Sequence, residues 1–199
     1  GGSMTALPVI ETEAQDISAY IPTNLISITD GQVYLSPSLF ELGILPAIEV
    51  GKSVSRVGGK AQRAAFRSVA GDLKLAYAQF EELETFSRFG ARLDKETREV
   101  IEHGRRIRAC LRQGESAPLS VAEQIVVLLA LTEGLFDPVP LEMMDKAEQA
   151  VRQTVEELPD SLAARLESAE SLGRGDREEA VEHARHALKS FLPMDEEAS

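Results

Sequence analysis

Four places in the chain carry residue types that could do chemistry, and their spacing decides what each can do. Gly51-Lys52-Ser53 has the ending of a phosphate-binding loop, in which backbone N–H groups cradle phosphate and a lysine reaches its outer oxygens. The first glycine of the pattern G-x-x-x-x-G-K falls where this chain has Pro46, a residue with no N–H to offer, so the match is rejected. His183 and His186, with Glu179 and Glu182 close by, have a spacing that a metal could use if all shared one helix face. No Cys or His cluster completes that set and the segment is rich in charge, so a solvated face is expected; His103, among Glu102, Arg105 and Arg106, reads the same way. Cys110 falls inside a helical pattern and reads as a small buried side chain. As the single cysteine it excludes an internal disulfide and fits a reducing compartment.

The fourth place is Ser53-Val54-Ser55-Arg56-Val57-Gly58-Gly59, which has neither helical nor strand period. Two glycines after an arginine describe a backbone that turns sharply or approaches something closely. Arg56 is then free to reach out of the chain, beside the hydroxyls of Ser53 and Ser55. Arginine offers planar, permanently charged donors suited to phosphate oxygens, and an arginine supplied across an interface to a nucleotide raises rates by roughly 10³ to 10⁵. A solvated interdomain loop is the competing reading. No Ser/His/Asp or Cys/His signature is visible, so nothing in the chain completes a catalytic site by itself.

The elements that must position Arg56 change character around it. Before it, Leu25–Thr29 and Gln32–Leu35 read as two short strands about an Asp30-Gly31 turn, a strong hairpin signal. Pro37 opens a short helix stopped by Gly43, and Leu45–Val50 reads as a brief extended run. After it the period becomes helical. One long amphipathic helix is expected over about 60–88, with Gly71 marking a bend or a close crossing. Asp94 caps a second helix whose face carries Val100, Ile101, Gly104, Ile107 and Leu111. Ser120 and Glu123 form a capping box for a third, apolar all round over Ile125–Leu131 and therefore the expected bundle centre. Pro140 suits the first turn of a fourth helix; Asp160 caps a fifth carrying Leu162, Leu166 and Ala169; Asp176 and Glu179 open a last one lined by Val181, Ala184, Leu188 and Phe191. Asp195-Glu196-Glu197 reads as a solvated tail.

The fold class is therefore mainly α, a C-terminal helical bundle preceded by a small α/β remnant, a hairpin and short strands that read as the tail of a larger domain. Gly1-Gly2-Ser3 before Met4 reads as a cloning scar, residues 5–59 as that remnant and 60–199 as the helical domain. The net charge of −12 is uneven: −4 over residues 1–59 (two cations, six carboxylates), +3 over 60–118 (twelve, nine) and −11 over 119–199 (seven, eighteen). That balance argues against nucleic acid and anionic membranes as partners and leaves the middle third as the place to draw an anion or an acidic partner. No stretch is long and apolar enough to span a bilayer and the N-terminus lacks the basic region followed by an apolar one of a secretory signal, so no membrane insertion is expected.

Three runs in register carry a specific resemblance. Ile21-Pro22-Thr23-Asn24-Leu25-Ile26-Ser27-Ile28-Thr29-Asp30-Gly31-Gln32, Gly43–Ala47, and Ser53–Gly59 with Ala61-Gln62 resemble the alpha subunit of F-type ATP synthases, at the end of its nucleotide-binding domain and the junction with its C-terminal helical domain. Val69–Leu73, Phe89-Gly90, Leu93-Asp94 and Glu123-Gln124 continue the likeness, which covers about residues 9–136 well and the rest by helix pattern. The resemblance implies a C-terminal portion of a non-catalytic subunit, with the family's P-loop and metal-binding residues upstream and the chain alone inactive as an ATPase. It implies ATP or ADP with Mg in the intact complex, beta subunits and the central-stalk gamma subunit as partners, and a peripheral place on the cytoplasmic face of the membrane. By position Arg56 would be the finger reaching the beta subunit's site, with Ser53 and Ser27 at the same interface and Phe86–Asp94 facing the stalk. Pro46 and Gln113 would be remnants of the subunit's own non-catalytic nucleotide pocket, where Leu45 replaces an arginine and Glu115 a glutamine. Those two exchanges should weaken nucleotide binding there. Leu45 and Lys52 also point to a divergent branch, with an alternative ion-translocating form among the options. The alternative to the rotary-motor subunit is a stand-alone helical interaction module descended from one; a vacuolar-type or secretion ATPase subunit fits the Ser53–Gly59 run less well.

Overall fold

The computed structural model describes residues 1–87, 93–168 and 170–193. Nine α-helices and one two-stranded antiparallel sheet are found among them. The first third holds helix α1 (Tyr20–Ile28), strand β1 (Gly31–Gln32), helix α2 (Pro37–Glu41) and strand β2 (Val54–Ser55).

The expected hairpin about Asp30-Gly31 does not form. Leu25–Ile28, read as a strand, is the second half of α1. Pro22 sits in the first turn of that helix, where its missing N–H has no intrahelical partner to lose, and the Thr29 hydroxyl donates to the Leu25 carbonyl at the other end (2.7 Å). The extended stretch after Gly31 is real but finds distant partners: β1 pairs with β2, Gly31 opposite Ser55 and Gln32 opposite Val54, and Leu35 bridges Ile48. Alternating β-branched residues made α1 look like a strand; a strand needs a neighbour, and this segment has none.

The helical part comprises α3 (Gly58–Ala61), α4 (Ala64–Ser87), α5 (Lys95–Cys110), α6 (Val121–Thr132), α7 (Met144–Gln153), α8 (Asp160–Glu167) and α9 (Arg174–Leu188). The single helix expected over 60–88 is thus two, broken where Gln62 leaves the helical region (ψ 144°). Asp94 accepts from the Thr97 N–H and caps α5, and Ser120 and Glu123 form the reciprocal capping box of α6. Asp160 and Asp176 lie inside rather than before their helices, Asp176 reaching back to accept from the Gly173 N–H (2.9 Å).

α6 packs against α4, α7, α8 and α9 and buries seven of its twelve residues, which its all-round apolar sequence requires. Its own Ile125, Leu129 and Leu131, and Phe80, Ile107 and Phe136 of the same core, are fully enclosed, each contributing roughly 1.5–3 kcal/mol of transfer free energy. The close crossing is at Gly104, not Gly71: an added Cβ at 104 would lie 2.5 Å from Phe80 Cδ2 and closer still to Cγ and Cβ, whereas 71 faces open space. On α5, Cys110 is buried and Leu111, expected in the core, is exposed. Phe89, Gly90, Ala169 and Asp195–Glu197 lie outside the described residues, as does part of Phe86–Asp94. No helix among the described residues is long and apolar enough to cross a membrane.

Candidate functional site

Arg56 follows directly on β2. Its N–H donates to the Asp30 carbonyl (2.8 Å), extending the β1–β2 pairing by one bond and setting the arginine opposite the C-terminus of α1. That pairing demands glycine at 31, where φ is +150° and a Cβ would sit 2.9 Å from Ser55 Cα and closer to the Val54 carbonyl. The Ser55 hydroxyl accepts from the Gly58 N–H (2.8 Å) and turns the chain into α3.

The guanidinium does not project freely, as the sequence suggested. Nη2 donates to the Ile26 carbonyl (2.8 Å), and Nη1 to those of Thr29 (3.2 Å) and Ser27 (3.4 Å). These oxygens belong to the last turn of α1, where carbonyls lack intrahelical partners and the helix dipole is negative, so a cation there is favourable. Arg56 is nonetheless exposed, so its charge stands at the surface on a fixed backbone platform.

Of the residues expected beside it, Ser27 arrives and Ser53 does not. Ser27 contributes its carbonyl; its hydroxyl donates to Asn24 O within α1 (2.7 Å). Ser53 accepts from the Tyr34 N–H (3.0 Å) and donates to Glu49 O (2.7 Å), stapling the base of the loop. Lys52 pairs with Glu49 (3.0 Å) and lies over the Tyr34 ring, 4.8 Å from its centroid; the Glu49 carboxylate raises its pKa above the usual lysine value. With the lysine and the serine hydroxyl both engaged, Gly51–Ser53 does not fit a phosphate cradle.

Pro46 and Gln113 do come together. The Gln113 N–H donates to Leu45 O (2.9 Å), and Leu45, Pro46 and Gln113–Pro118 line an open cleft of about 450 Å³. Its lining holds no cation and one carboxylate, Glu115, which disfavours a polyphosphate. His183 and His186 line a second open cleft, between α7 and α9, with Glu157 and Glu182. No group of three or more His, Cys, Asp or Glu that could hold a metal is found among the described residues. His103, read as solvated, is half-buried and lies 2.7 Å from Asp137 Oδ1.

Sequence reasoning missed two inward-turned arginines of the bundle, Arg106 buried and Arg108 partly buried. Arg106 donates from Nε to Phe136 O (2.9 Å) and from Nη2 to Val139 O (3.0 Å), holding the turn after α6. Arg108 pairs with Glu84 (2.8 Å) and stacks on Phe80, 4.4 Å from its centroid. The available signal was the phase of α5, since a residue beside Gly104 and Ile107 cannot turn fully to water.

Residues 62–187 match the model of the ATP synthase alpha/beta chain, C terminal domain, and residues 1–55 that of the ATP synthase alpha/beta family, nucleotide-binding domain. Arg56 falls in the short interval between them. ATP synthase subunit alpha 2 of Albidiferax ferrireducens is 70% identical over 98% of this chain and 37% of its own length. Its namesake in Polaromonas naphthalenivorans is 70% identical over 97% and 37%, and ATP synthase subunit alpha 1 of Marinomonas sp. 70% over 96% and 38%. The chain thus spans a little over a third of the length of these curated relatives. With one model covering the bundle and its companion the platform that carries Arg56, the chain belongs to the ATP synthase alpha/beta family, and the relatives named here are alpha subunits.

Proposed function

We propose that this chain is the C-terminal portion of a non-catalytic alpha subunit of a rotary ATP synthase, and that Arg56 acts in trans on ATP held with Mg by a neighbouring beta subunit. The observation that carries this reading is the exposed guanidinium fixed on the last carbonyls of α1. A residue that stabilises charge developing on a phosphoryl group works best when its charge is in place beforehand, because no reorganisation is then needed during reaction. The platform of Gly31, Asp30 and Ser55 supplies that placement. The helical bundle gives the subunit its footing beside the central-stalk gamma subunit, with the end of α4 nearest, and the assembly sits peripherally on the cytoplasmic face of the membrane, coupling ATP synthesis or hydrolysis to ion transport. The chain alone has no ATPase activity on this reading.

Turnover of the reassembled full-length complex, with and without Arg56→Ala, tests it. A fall of two or more orders of magnitude is expected, within the roughly 10³ to 10⁵ of a finger supplied in trans. An unchanged rate with assembly intact would leave Arg56 as a cap for α1, which is what its three carbonyl bonds would mean in a stand-alone helical interaction module.

A further inference from the structure

From Arg56 to Gly71 the chain carries Arg56, Lys60, Arg63 and Arg67 and no carboxylate. All four are exposed, and none has a carboxylate partner among the described residues, although nine other Lys or Arg side chains do. Arg67 Nη1 donates to Gly59 O (2.9 Å), which ties the α3 turn carrying Lys60 to the start of α4. Arg63 and Arg67 are four apart, joined by the Arg67 N–H to Arg63 O bond (3.0 Å). Each stands two residues before or after the buried Ala65 and Val69, so both face away from the core. Arg177 of α9 reaches Ser68 O (3.4 Å) and adds a fifth cation at the same end.

Helix energetics opposes this arrangement. The N-terminus of a helix is its positive end and favours acids, yet the first turn of α4 holds none and Arg63 and Arg67 flank it. A local rule broken at the surface, with no compensating carboxylate among the described residues, is the kind of place at which an outside partner is sought. Neither of the two clefts described above includes these residues. Cations spread along the chain from 56 to 67 suit an extended acidic chain better than a compact phosphate, which needs converging donors.

We infer that Lys60, Arg63 and Arg67 form a docking ridge for an acidic segment of the neighbouring beta subunit, beside the site that Arg56 enters. This rests on the reading of Arg56 as reaching that subunit. Charges at an interface rim act mainly on the rate of encounter and its salt dependence.

The test compares the full-length subunit with its Lys60→Gln/Arg63→Gln variant, which spares the Arg67–Gly59 bond, and with a charge-keeping Lys60→Arg/Arg63→Lys variant. Association with the beta subunit is followed by stopped flow over a range of ionic strength. The neutralised variant is expected to associate about tenfold more slowly at low salt, with the difference gone near ~0.5 M, and the charge-keeping variant to match the parent. Equal rates for all three at low salt would overturn the inference. So would stoichiometric binding of inorganic tripolyphosphate to the parent that Lys60→Gln/Arg63→Gln abolishes while association is unchanged, since the ridge would then be a phosphate site. Arg56→Ala turnover fails or succeeds separately: loss of the finger role would leave a salt-dependent association defect in place, and the reverse.

Discussion

Gly104→Ala is expected to weaken the bundle although it adds a better helix former. The gain from replacing a mid-helix glycine is about 1 kcal/mol. Against it stands the space at the α4–α5 crossing, where the new methyl would meet Phe80 at its Cβ and Cγ, not at a movable far end. The ring cannot swing aside: it is fully buried, packed against Tyr77 at 5.7 Å between centroids and covered by the Arg108 guanidinium. The helices must part, at an overpacking cost of about 3 kcal/mol. The net loss is about 2 kcal/mol, or about 4–8 °C in Tm for a chain of this size. Gly71→Ala makes the same chemical change in α4 facing open space and should raise stability by about 1 kcal/mol. Urea unfolding followed by far-ultraviolet circular dichroism measures both. A Gly104→Ala chain as stable as the parent, or a Gly71→Ala chain destabilised to the same degree, would refute the crossing argument.

Two further outcomes follow from charge and burial. Glu81, on α4 beneath the Gly51 loop, has its pKa raised, chiefly by burial and further by Glu49 and Glu84, with Arg108 and Lys52 opposing. Between the ordinary glutamate value and this raised one the native chain binds more protons than the unfolded chain, so stability falls as pH rises through that window. Glu81→Gln should therefore be the more stable chain at pH 7, with the gap closing on acidification; unfolding at a series of pH values measures it, and a gap that widens in acid would count against it. The Cys110 thiol is pushed up by burial, with Glu148 and Asp145 adding to the effect. It should ignore a disulfide reagent in the native chain and react at once in guanidinium, and rapid native labelling would mean that α5 opens readily.

What could be read from residues alone depended on how local each cause was. Helix α6 was legible because Ile125–Leu131 leaves no polar face, and its start because Ser120 and Glu123 satisfy each other three residues apart. Arg56 was legible as a candidate because serines and glycines bracket it. Its partners were not, since they are carbonyls of α1, a segment whose alternating isoleucines imitate a strand and whose helix is settled by what lies beyond it. The pairing of β1 with β2 joins residues more than twenty apart, which a tight-turn signal at Asp30-Gly31 cannot anticipate. Arg106 turns inward for carbonyls at 136 and 139, groups that must find donors once their loop is covered. The cleft at Pro46 and Gln113 was reached through the family likeness, because no local pattern links two loops so distant in the chain.

The glycine at 31 has a consequence for how such a subunit can vary. Any side chain there would push β2 outward, and the strand ends one residue before Arg56. The guanidinium would move with it, away from the carbonyls of α1. On the role proposed for Arg56, a conservative-looking Gly31→Ala exchange should thus act on turnover of the assembled complex before it acts on folding, since the small sheet adds little to a molecule whose core lies in the bundle. In sequence comparisons position 31 should therefore be as restricted as position 56, although it carries no functional group, because it sets where the arginine stands.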